Sequence, residues 1–204
     1  MTTDYKFIDA LLPPTYMISG FTLKPLSLGH VLLLRKLDNV FMTGQVEKLE
    51  GDAIIRHIIS FLTICSYDFD DAVELLNTKV NNHLPNYVSE LKRCSNHLKK
   101  FIKKHKGWNL LECINNIKTY IEFYNKMPIF EPTEKNQDKP PSGIEWEQHL
   151  YNYMLRTYGY SQSTILKKPF RLLCYEWCAG LEADGALRVM NGFEQEQIKK
   201  VRGY

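Results

Sequence analysis

Two cysteines have the spacing that metal binding on a helix requires. Cys174 and Cys178 lie four residues apart, so their thiolates could reach one metal ion. A structural zinc site takes four ligands, and the adjoining segments add only His149. Both cysteines also belong to an apolar stripe with helical spacing. They are therefore interpreted as buried core cysteines, and the sequence predicts no metal ligand and no cofactor.

A second pair combines a nucleophile with a base. Cys94 and His97 lie three residues apart, but catalysis would also need an orienting group and an oxyanion hole, and the sequence signals neither. Phosphate-binding glycine motifs and H-E-x-x-H do not occur. Asp68, Asp70 and Asp71 are interpreted as loop and helix-start residues. The sequence therefore predicts no catalytic residue and a protein that is not an enzyme.

The strongest electrostatic feature is a concentration of basic residues between residues 79 and 126. Ten Lys and Arg against three Glu give a local balance of +7, whereas the whole chain carries +3. Six of them share one helix face: Lys92, Arg93, Lys99, Lys100, Lys103 and Lys104. This face is either a nucleic-acid contact or the solvated side of an amphipathic helix. No aromatic residues alternate with the lysines as a stacking platform requires, so the solvated side is favoured and nucleic-acid binding is the alternative.

Aromatic residues are dense after residue 145, and such residues fill cores or dominate protein–protein contacts. Tyr151 and Tyr175 fall outside the main apolar stripes of their helices, so we expect them at a contact surface. Tyr160 is added to this surface, with Arg171 at its rim. These four are the candidate partner-binding residues.

Helical periodicity predominates in the elements that position these residues. Ser19-Gly20 predicts a small β-hairpin within residues 15–24, and Ser27 is the predicted N-cap of a leucine-rich helix that ends at Leu37. Further helices are predicted to start at Asp52, at Asp70 or Asp71, near Pro85, after Asn109, near Glu145, after Pro169 and near Glu194. The predicted fold class is mainly α: a multi-helix bundle with a small N-terminal β-hairpin and a helical C-terminal part.

Apolar stripes give the predicted inward faces of these helices. The helix after Pro85 is predicted to bury Tyr87, Val88, Leu91, Cys94, Leu98, Phe101 and Ile102, and the next helix Leu110, Ile114, Ile117, Ile121 and Tyr124. The two C-terminal stripes are Trp146, Leu150, Tyr153, Met154 and Thr157, then Phe170, Leu173, Cys174, Trp177, Cys178 and Leu181.

Proline content sets the predicted domain boundaries. Residues 1–126 form the hairpin and a bundle that includes a basic helical hairpin, residues 127–143 a Pro-rich linker, and residues 144–204 a C-terminal helical part. Five scattered cysteines suit reduced, buried thiols. No apolar run approaches the roughly 18 residues that span a bilayer, and no leader is apparent. A soluble intracellular protein without membrane contact is expected.

Two stretches of the chain carry hydrophobic patterns that are shared with a known family. The first is Phe21-Thr-Leu-Lys-Pro-Leu-Ser-Leu-Gly-His30 with the leucine-rich helix that follows. The second covers residues 153–185: a helix that ends at Tyr158-Gly159-Tyr160-Ser161, a turn with Ile165, Pro169, and a long helix that ends at Glu182-Ala-Asp-Gly185. Both stretches resemble tail assembly chaperone-type proteins of tailed bacteriophages. The resemblance covers a third to half of the chain, and its motifs are hydrophobic patterns.

The resemblance implies a non-enzymatic helical protein in the cytoplasm of the infected host bacterium. Such proteins bind the tape-measure protein or the tail-tube protein until the tube polymerises. The helix-in-groove mode suits this role, because a tape-measure chain exposes long amphipathic helices. A structural component of the phage particle is a further alternative. The sequence leaves the oligomeric state open, homo-oligomers included.

Overall fold

The computed structural model describes residues 10–46, 51–77, 86–128, 130–133, 145–190 and residue 194. Within them lie nine helices and four three-residue strands, so the mainly α class is confirmed. The strands are β1 (Tyr16–Ile18), β2 (Phe21–Leu23), β3 (Phe130–Pro132) and β4 (Leu187–Val189). The helices are α1 (Leu28–Lys36), α2 (Val40–Thr43), α3 (Asp52–Cys65), α4 (Phe69–Leu76), α5 (Tyr87–Lys104), α6 (Leu110–Asn125), α7 (Trp146–Thr157), α8 (Gln162–Lys167) and α9 (Phe170–Ala183).

The chain divides into two compact units. One is Pro14–Tyr124, and the other combines Met1–Pro13 with Asn125–Tyr204. Part of the predicted linker has regular structure, because β3 pairs antiparallel with β4 in the register Phe130↔Val189. The rest of the linker, from residue 134 to 143, lies outside the described residues, as does the predicted terminal helix apart from residue 194.

The predicted hairpin is confirmed, and its turn contacts the α5–α6 pair. Ser19 and Gly20 have φ values of 50° and 80°, which is the left-handed pair that a two-residue hairpin turn needs. The ring Nε2–H of His97 donates to the Gly20 carbonyl at 3.2 Å, and the Trp108 indole donates to the Ser19 hydroxyl at 3.1 Å. A Cβ on Gly20 would lie 2.9 Å from the Phe101 ring, so the close approach requires glycine.

A buried histidine completes the N-terminus of α1. The predicted cap is confirmed: the Ser27 hydroxyl accepts from the His30 amide, and His30 Nδ1 accepts from the Ser27 amide, both at 3.3 Å. The opposite nitrogen, Nε2, donates to the Tyr67 carbonyl at 2.9 Å. Burial lowers the pKa of His30 more than the Tyr67 carbonyl and Asp68 raise it, so the neutral ring is the stable form.

Acid is expected to destabilise the protein through His30. Folding lowers the pKa of His30, so the unfolded chain binds the proton more readily than the folded chain does. The contribution of the neutral His30 ring to the free energy of unfolding is therefore fully present above the ordinary pKa of 6.5. Stability then falls as the pH drops from 6.5 towards the lowered folded pKa, by at most about 1.4 kcal/mol per pH unit. Urea unfolding of the native chain and of His30→Gln between about pH 5 and 7.5 measures the difference. Equal pH slopes for the two proteins would contradict the expectation.

The core of the unit Pro14–Tyr124 is centred on α3. This helix buries Ile54, Ile58, Phe61, Leu62, Ile64 and Cys65. Phe61 lies edge-on to Phe41 and to Tyr120, with ring centroids 5.6 and 5.9 Å apart. The Tyr120 hydroxyl donates to the Lys24 carbonyl at 2.6 Å, and the Lys24 amide donates to the Cys65 carbonyl at 2.8 Å. These hydrogen bonds connect the residue that follows β2 to α3 and α6.

The inward face of α5 differs from the predicted one. Val88 is 59% exposed and Ile102 is also exposed, whereas Glu90 is only 1% exposed. The buried line is Glu90, Cys94 and Leu98. The prediction from apolar residue types alone gave a buried stripe that is too wide. In the structure a carboxylate occupies one core position, and two of the predicted aliphatic residues lie beside the solvent-exposed face.

Two smaller differences concern α6 and α3. In α6 the fully buried residues are Cys113, Ile117, Tyr120 and Tyr124, while Leu110, Ile114 and Ile121 are half-buried. In α3 the N-cap is Gly51, and Asp52 is the first helical residue. The carboxylate of Asp52 still lies at the positive end of the helix dipole.

The C-terminal elements confirm the predicted helix ends. α7 ends at Thr157, Gly159 adopts a left-handed φ of 64°, and Pro169 is the N-cap of α9. Leu150 and Met154 of α7 are buried, and so are Phe170, Leu173, Cys174 and Cys178 of α9. Trp146 of the first stripe is partly exposed and Thr157 is exposed. Among the described residues, no helix combines the length and the apolar character needed to cross a membrane.

Candidate interaction surfaces

The cysteines with metal-ligand spacing are core residues, as interpreted from the sequence. All five thiols are free and buried. Burial raises the pKa of Cys174 to about 12 and that of Cys178 to about 11, so both remain protonated at neutral pH. Within the described ranges, no group of three or more His, Cys, Asp and Glu residues could hold a metal ion.

Cys94 and His97 contact different neighbours. The Cys94 sulfur lies 3.9 Å from the Glu90 carboxylate in the core, and burial raises its pKa. The exposed His97 ring packs edge-on against Phe21 with centroids 4.7 Å apart. The two side chains therefore serve packing on separate sides of α5.

The aspartates before and within α4 are helix-start residues, as predicted. Asp68 is the N-cap of α4 and pairs with Lys24 at 3.0 Å, while Asp70 and Asp71 lie in the first turn. Their negative charges favour the positive end of the helix dipole.

Arg93 is not part of the free basic face. Its guanidinium pairs with the buried Glu90 carboxylate, with Nε donating to Oε1 at 2.5 Å. Burial tends to raise the pKa of Glu90, but hydrogen bonds from Arg93 and Tyr67 outweigh burial and lower it. Glu90 is therefore a buried anion, and the i, i+3 spacing places its cation one turn away. This correction removes one of the six basic candidates from phosphate contact.

The other five basic candidates are exposed. They are Lys92, Lys99, Lys100, Lys103 and Lys104, and none has a carboxylate partner among the residues that the structure describes. Lys92, Lys99 and Lys103 follow one line along α5, because residues 7 and 11 positions apart share a face. Lys100 and Lys104 form a neighbouring line.

The lysine face continues into an open cleft at the turn between α5 and α6. This tip cleft has a volume of about 560 Å³. Its walls hold three rings and three charged groups: Phe101, His105, Trp108, Lys104, Lys106 and Glu112. From the sequence, Phe101 was assigned to the apolar face of α5, so no stacking platform was predicted among the lysines. The turn nevertheless brings three rings to the end of that face, because α6 reverses the chain direction. The closely spaced His105 and Trp108 were the available signal.

Two of the predicted partner-binding residues are buried. Arg171 is 2% exposed and Tyr175 is 9% exposed, so neither lies on a contact surface of its unit. The guanidinium carbon of Arg171 lies 5.9 Å from the centre of the Tyr175 ring. The prediction was wrong because α9 buries a wider arc than its apolar stripe, and that wider arc includes an arginine over an aromatic ring.

Tyr160 is half-buried and held in place. Its ring stacks on Tyr158 with centroids 5.5 Å apart, and its hydroxyl accepts from the Lys168 ammonium at 3.0 Å. Lys168 also forms an ion pair with Glu176. Only a fraction of the Tyr160 side chain is therefore available to a partner.

Tyr151 is half-buried, and two exposed residues that were not predicted share its face of α7. Leu155 is 36% exposed and Tyr158 is 38% exposed. Residues 151, 155 and 158 have i, i+4 and i+7 spacing, so they form one stripe along α7 and its C-cap. We name these three residues the outer stripe. The spacing of these three residues could have identified the outer stripe in the sequence. A neighbouring buried stripe has the same period, so the two patterns were not distinguished.

Gly180 positions the C-terminal end of the outer stripe. A Cβ there would lie 2.5 Å from the Tyr153 hydroxyl and 2.9 Å from the Tyr158 hydroxyl. The two hydroxyls donate instead to Asp184 and to the Glu176 carbonyl, both at 2.9 Å. Because Gly180 has no side chain, Tyr153 and Tyr158 can pack against α9.

No protein-family model matches this chain, and no curated protein or solved structure shows significant similarity to it.

Proposed function

We propose that this protein is a non-enzymatic chaperone of phage tail assembly that binds a helix of the tape-measure protein. The resemblance of residues 21–37 and 153–185 to tail assembly chaperone-type proteins suggests the role. The observation that carries the binding mode is the outer stripe: Tyr151, Leu155 and Tyr158. Tyr151 is half-buried, whereas Leu155 and Tyr158 are exposed. Apolar side chains at i, i+4 and i+7 on an accessible face are typical of a helix that docks against another helix or a groove.

The scaffold beneath the outer stripe supports this binding mode. Leu150 and Met154 of the same helix are fully buried, so α7 is fixed to its own core while the stripe faces solvent. Tyr158 is held by its hydrogen bond to the Glu176 carbonyl. A preordered aromatic anchor loses little conformational entropy on binding, which favours affinity.

Co-expression with the tape-measure protein encoded by the same genome tests the proposal. The variant Tyr151→Ala/Leu155→Ala removes two anchors without touching the buried face of α7. We expect at least tenfold weaker binding, equivalent to about 1.4 kcal/mol, because central aromatic and aliphatic anchors carry most of such an interface. Titration of the purified chaperone against a tape-measure fragment measures the affinity.

Asn152→Ala/Arg156→Ala is the matched control, since both residues are polar and form the adjoining i, i+4 line of the same helix. It is expected to retain native affinity. Failure of the native protein to bind or solubilise the tape-measure protein would refute the proposal. Equal affinity for the stripe variant and the native chain would refute the assignment of the surface.

A further inference from the structure

The tip cleft combines two features that an ordinary solvated helix end does not need. Lys103 and Lys104 lie in the last turn of α5, where the helix dipole favours cations. Lys106 lies beyond the end of the helix, Lys99 lies more than one turn before that end and Lys92 about three turns before it, so the dipole does not account for them. It also does not account for three aromatic rings around the same opening.

The rings are placed where a planar ligand could stack. The His105 and Phe101 rings have centroids 4.2 Å apart and are tilted by only 31°, and His105 is exposed. Trp108 is fixed by its hydrogen bond to Ser19, so its ring keeps one orientation beside them. Stacking of a nucleobase on such rings is worth about 1–3 kcal/mol per base, which corresponds to about 5- to 150-fold in affinity.

The charges extend away from the rings along one helix. Lys92 and Lys104 are twelve residues apart, which is about 18 Å along the axis of α5. A flexible strand with its bases at the cleft could therefore place successive phosphates along the exposed lysines. The Glu112 carboxylate in the cleft would repel an acidic peptide, but it can accept a hydrogen bond from the amino group of a base.

We propose that the tip cleft binds a single-stranded nucleic acid, with a base stacked on the rings and the backbone along the lysines of α5. A duplex keeps its bases inside the stack, so a single strand is the form that fits. This proposal does not rest on the proposed chaperone function, since the tip cleft lies in the unit Pro14–Tyr124 and the outer stripe in the other unit.

Fluorescence anisotropy with the full chain tests the proposal. The probe is a labelled DNA strand of about 12 nucleotides, within the site sizes that single-strand binders use, at about 50 mM salt. A strand of the same length without bases carries the same charge. We expect it to bind at least fivefold more weakly. His105→Ala, at an exposed position, is expected to weaken binding of the intact strand about fivefold.

Charge reversal tests the phosphate contacts. Lys104→Glu/Lys106→Glu is expected to weaken binding at least tenfold and to reduce the slope of log affinity against log salt by about 1.4, for two lost contacts. Lys36→Glu/Arg56→Glu makes the same change in net charge at exposed positions outside the cleft, and it should change affinity less than twofold.

Four outcomes would overturn the proposal. They are no binding of the native chain to the intact strand, equal affinity for the strand without bases, tighter binding of a duplex, and equally effective competition by polyglutamate. The last result would indicate an acidic protein partner. Because none of these measurements uses the tape-measure protein, they separate this proposal from the proposed chaperone function.

Discussion

Replacing Phe61 by alanine is expected to destabilise the unit Pro14–Tyr124 by about 3–5 kcal/mol. The side chain is fully buried at the centre of α3, in edge contact with Phe41 and Tyr120. Its removal loses the transfer free energy of a phenyl ring and leaves a cavity between two aromatic rings. The Lys24 amide donates to the Cys65 carbonyl of α3, and the Lys24 carbonyl accepts from the Tyr120 hydroxyl of α6. These two hydrogen bonds limit how far the surroundings can collapse.

Urea unfolding, together with hydrogen exchange of the α3 and α6 amides, measures this loss. Met17→Ala is the matched control, because it also truncates a large apolar side chain but at an exposed position of the same unit. The control should change the free energy of unfolding by less than about 0.5 kcal/mol. A loss below about 1 kcal/mol for Phe61→Ala would show that this position is not the centre of the core.

Replacing Arg93 by methionine is expected to cost about 2 kcal/mol at neutral pH. The substitution leaves the Glu90 carboxylate buried without its cation, and breaking a fully buried pair costs about 3–5 kcal/mol. The smaller figure reflects the exposure of the Arg93 guanidinium, where solvent screens part of the attraction.

The pH dependence distinguishes this mechanism from lost packing. In the native chain the pKa of Glu90 is lowered, so the stability due to the pair is present above its ordinary value of 4.5 and is lost as the pH falls through the lowered folded pKa. In the variant, burial without Arg93 disfavours the charged carboxylate, so protonation relieves the strain. The difference between the two proteins should therefore be largest near neutral pH, should begin to narrow at the raised Glu90 pKa of the variant, above 4.5, and should continue to narrow down to the lowered Glu90 pKa of the native chain.

Two further variants check this prediction. Arg93→Met/Glu90→Gln removes both charges and should recover most of the lost stability. Lys92→Met removes a neighbouring exposed lysine and should change stability by less than about 0.5 kcal/mol. A loss for Arg93→Met that is independent of pH would assign the role of Arg93 to packing along α5.

Local signals in the sequence predicted most of the helices and the hairpin. Ser27 and Pro169 mark helix starts through backbone geometry that depends on a few neighbouring residues. Ser19-Gly20 marks its turn for the same reason. The β3–β4 pair was not predicted, because Glu131 and Arg188 are brought together across more than 50 residues and three-residue strands have no measurable periodicity.

The candidate surfaces were less predictable than the fold. Tyr151 is half-buried on α7, and Tyr175 and Arg171 are buried because neighbouring elements cover more of α9 than its apolar stripe. The role of Arg93 depends on a buried glutamate, and residue type alone assigns glutamate to the surface. The three rings of the tip cleft come together because the chain reverses direction between α5 and α6. A pattern of alternating lysines and aromatic residues within a single helix does not reveal such a site.

The five buried thiols provide internal reporters of core opening. A thiol that stays protonated and shielded reacts with an alkylating reagent only when its surroundings open. Cys65, Cys94 and Cys113 report on one compact unit, and Cys174 and Cys178 report on the other. Alkylation of the native cysteines, read out by mass spectrometry, can therefore follow the local opening of each compact unit separately. No additional probe has to be introduced into the sequence.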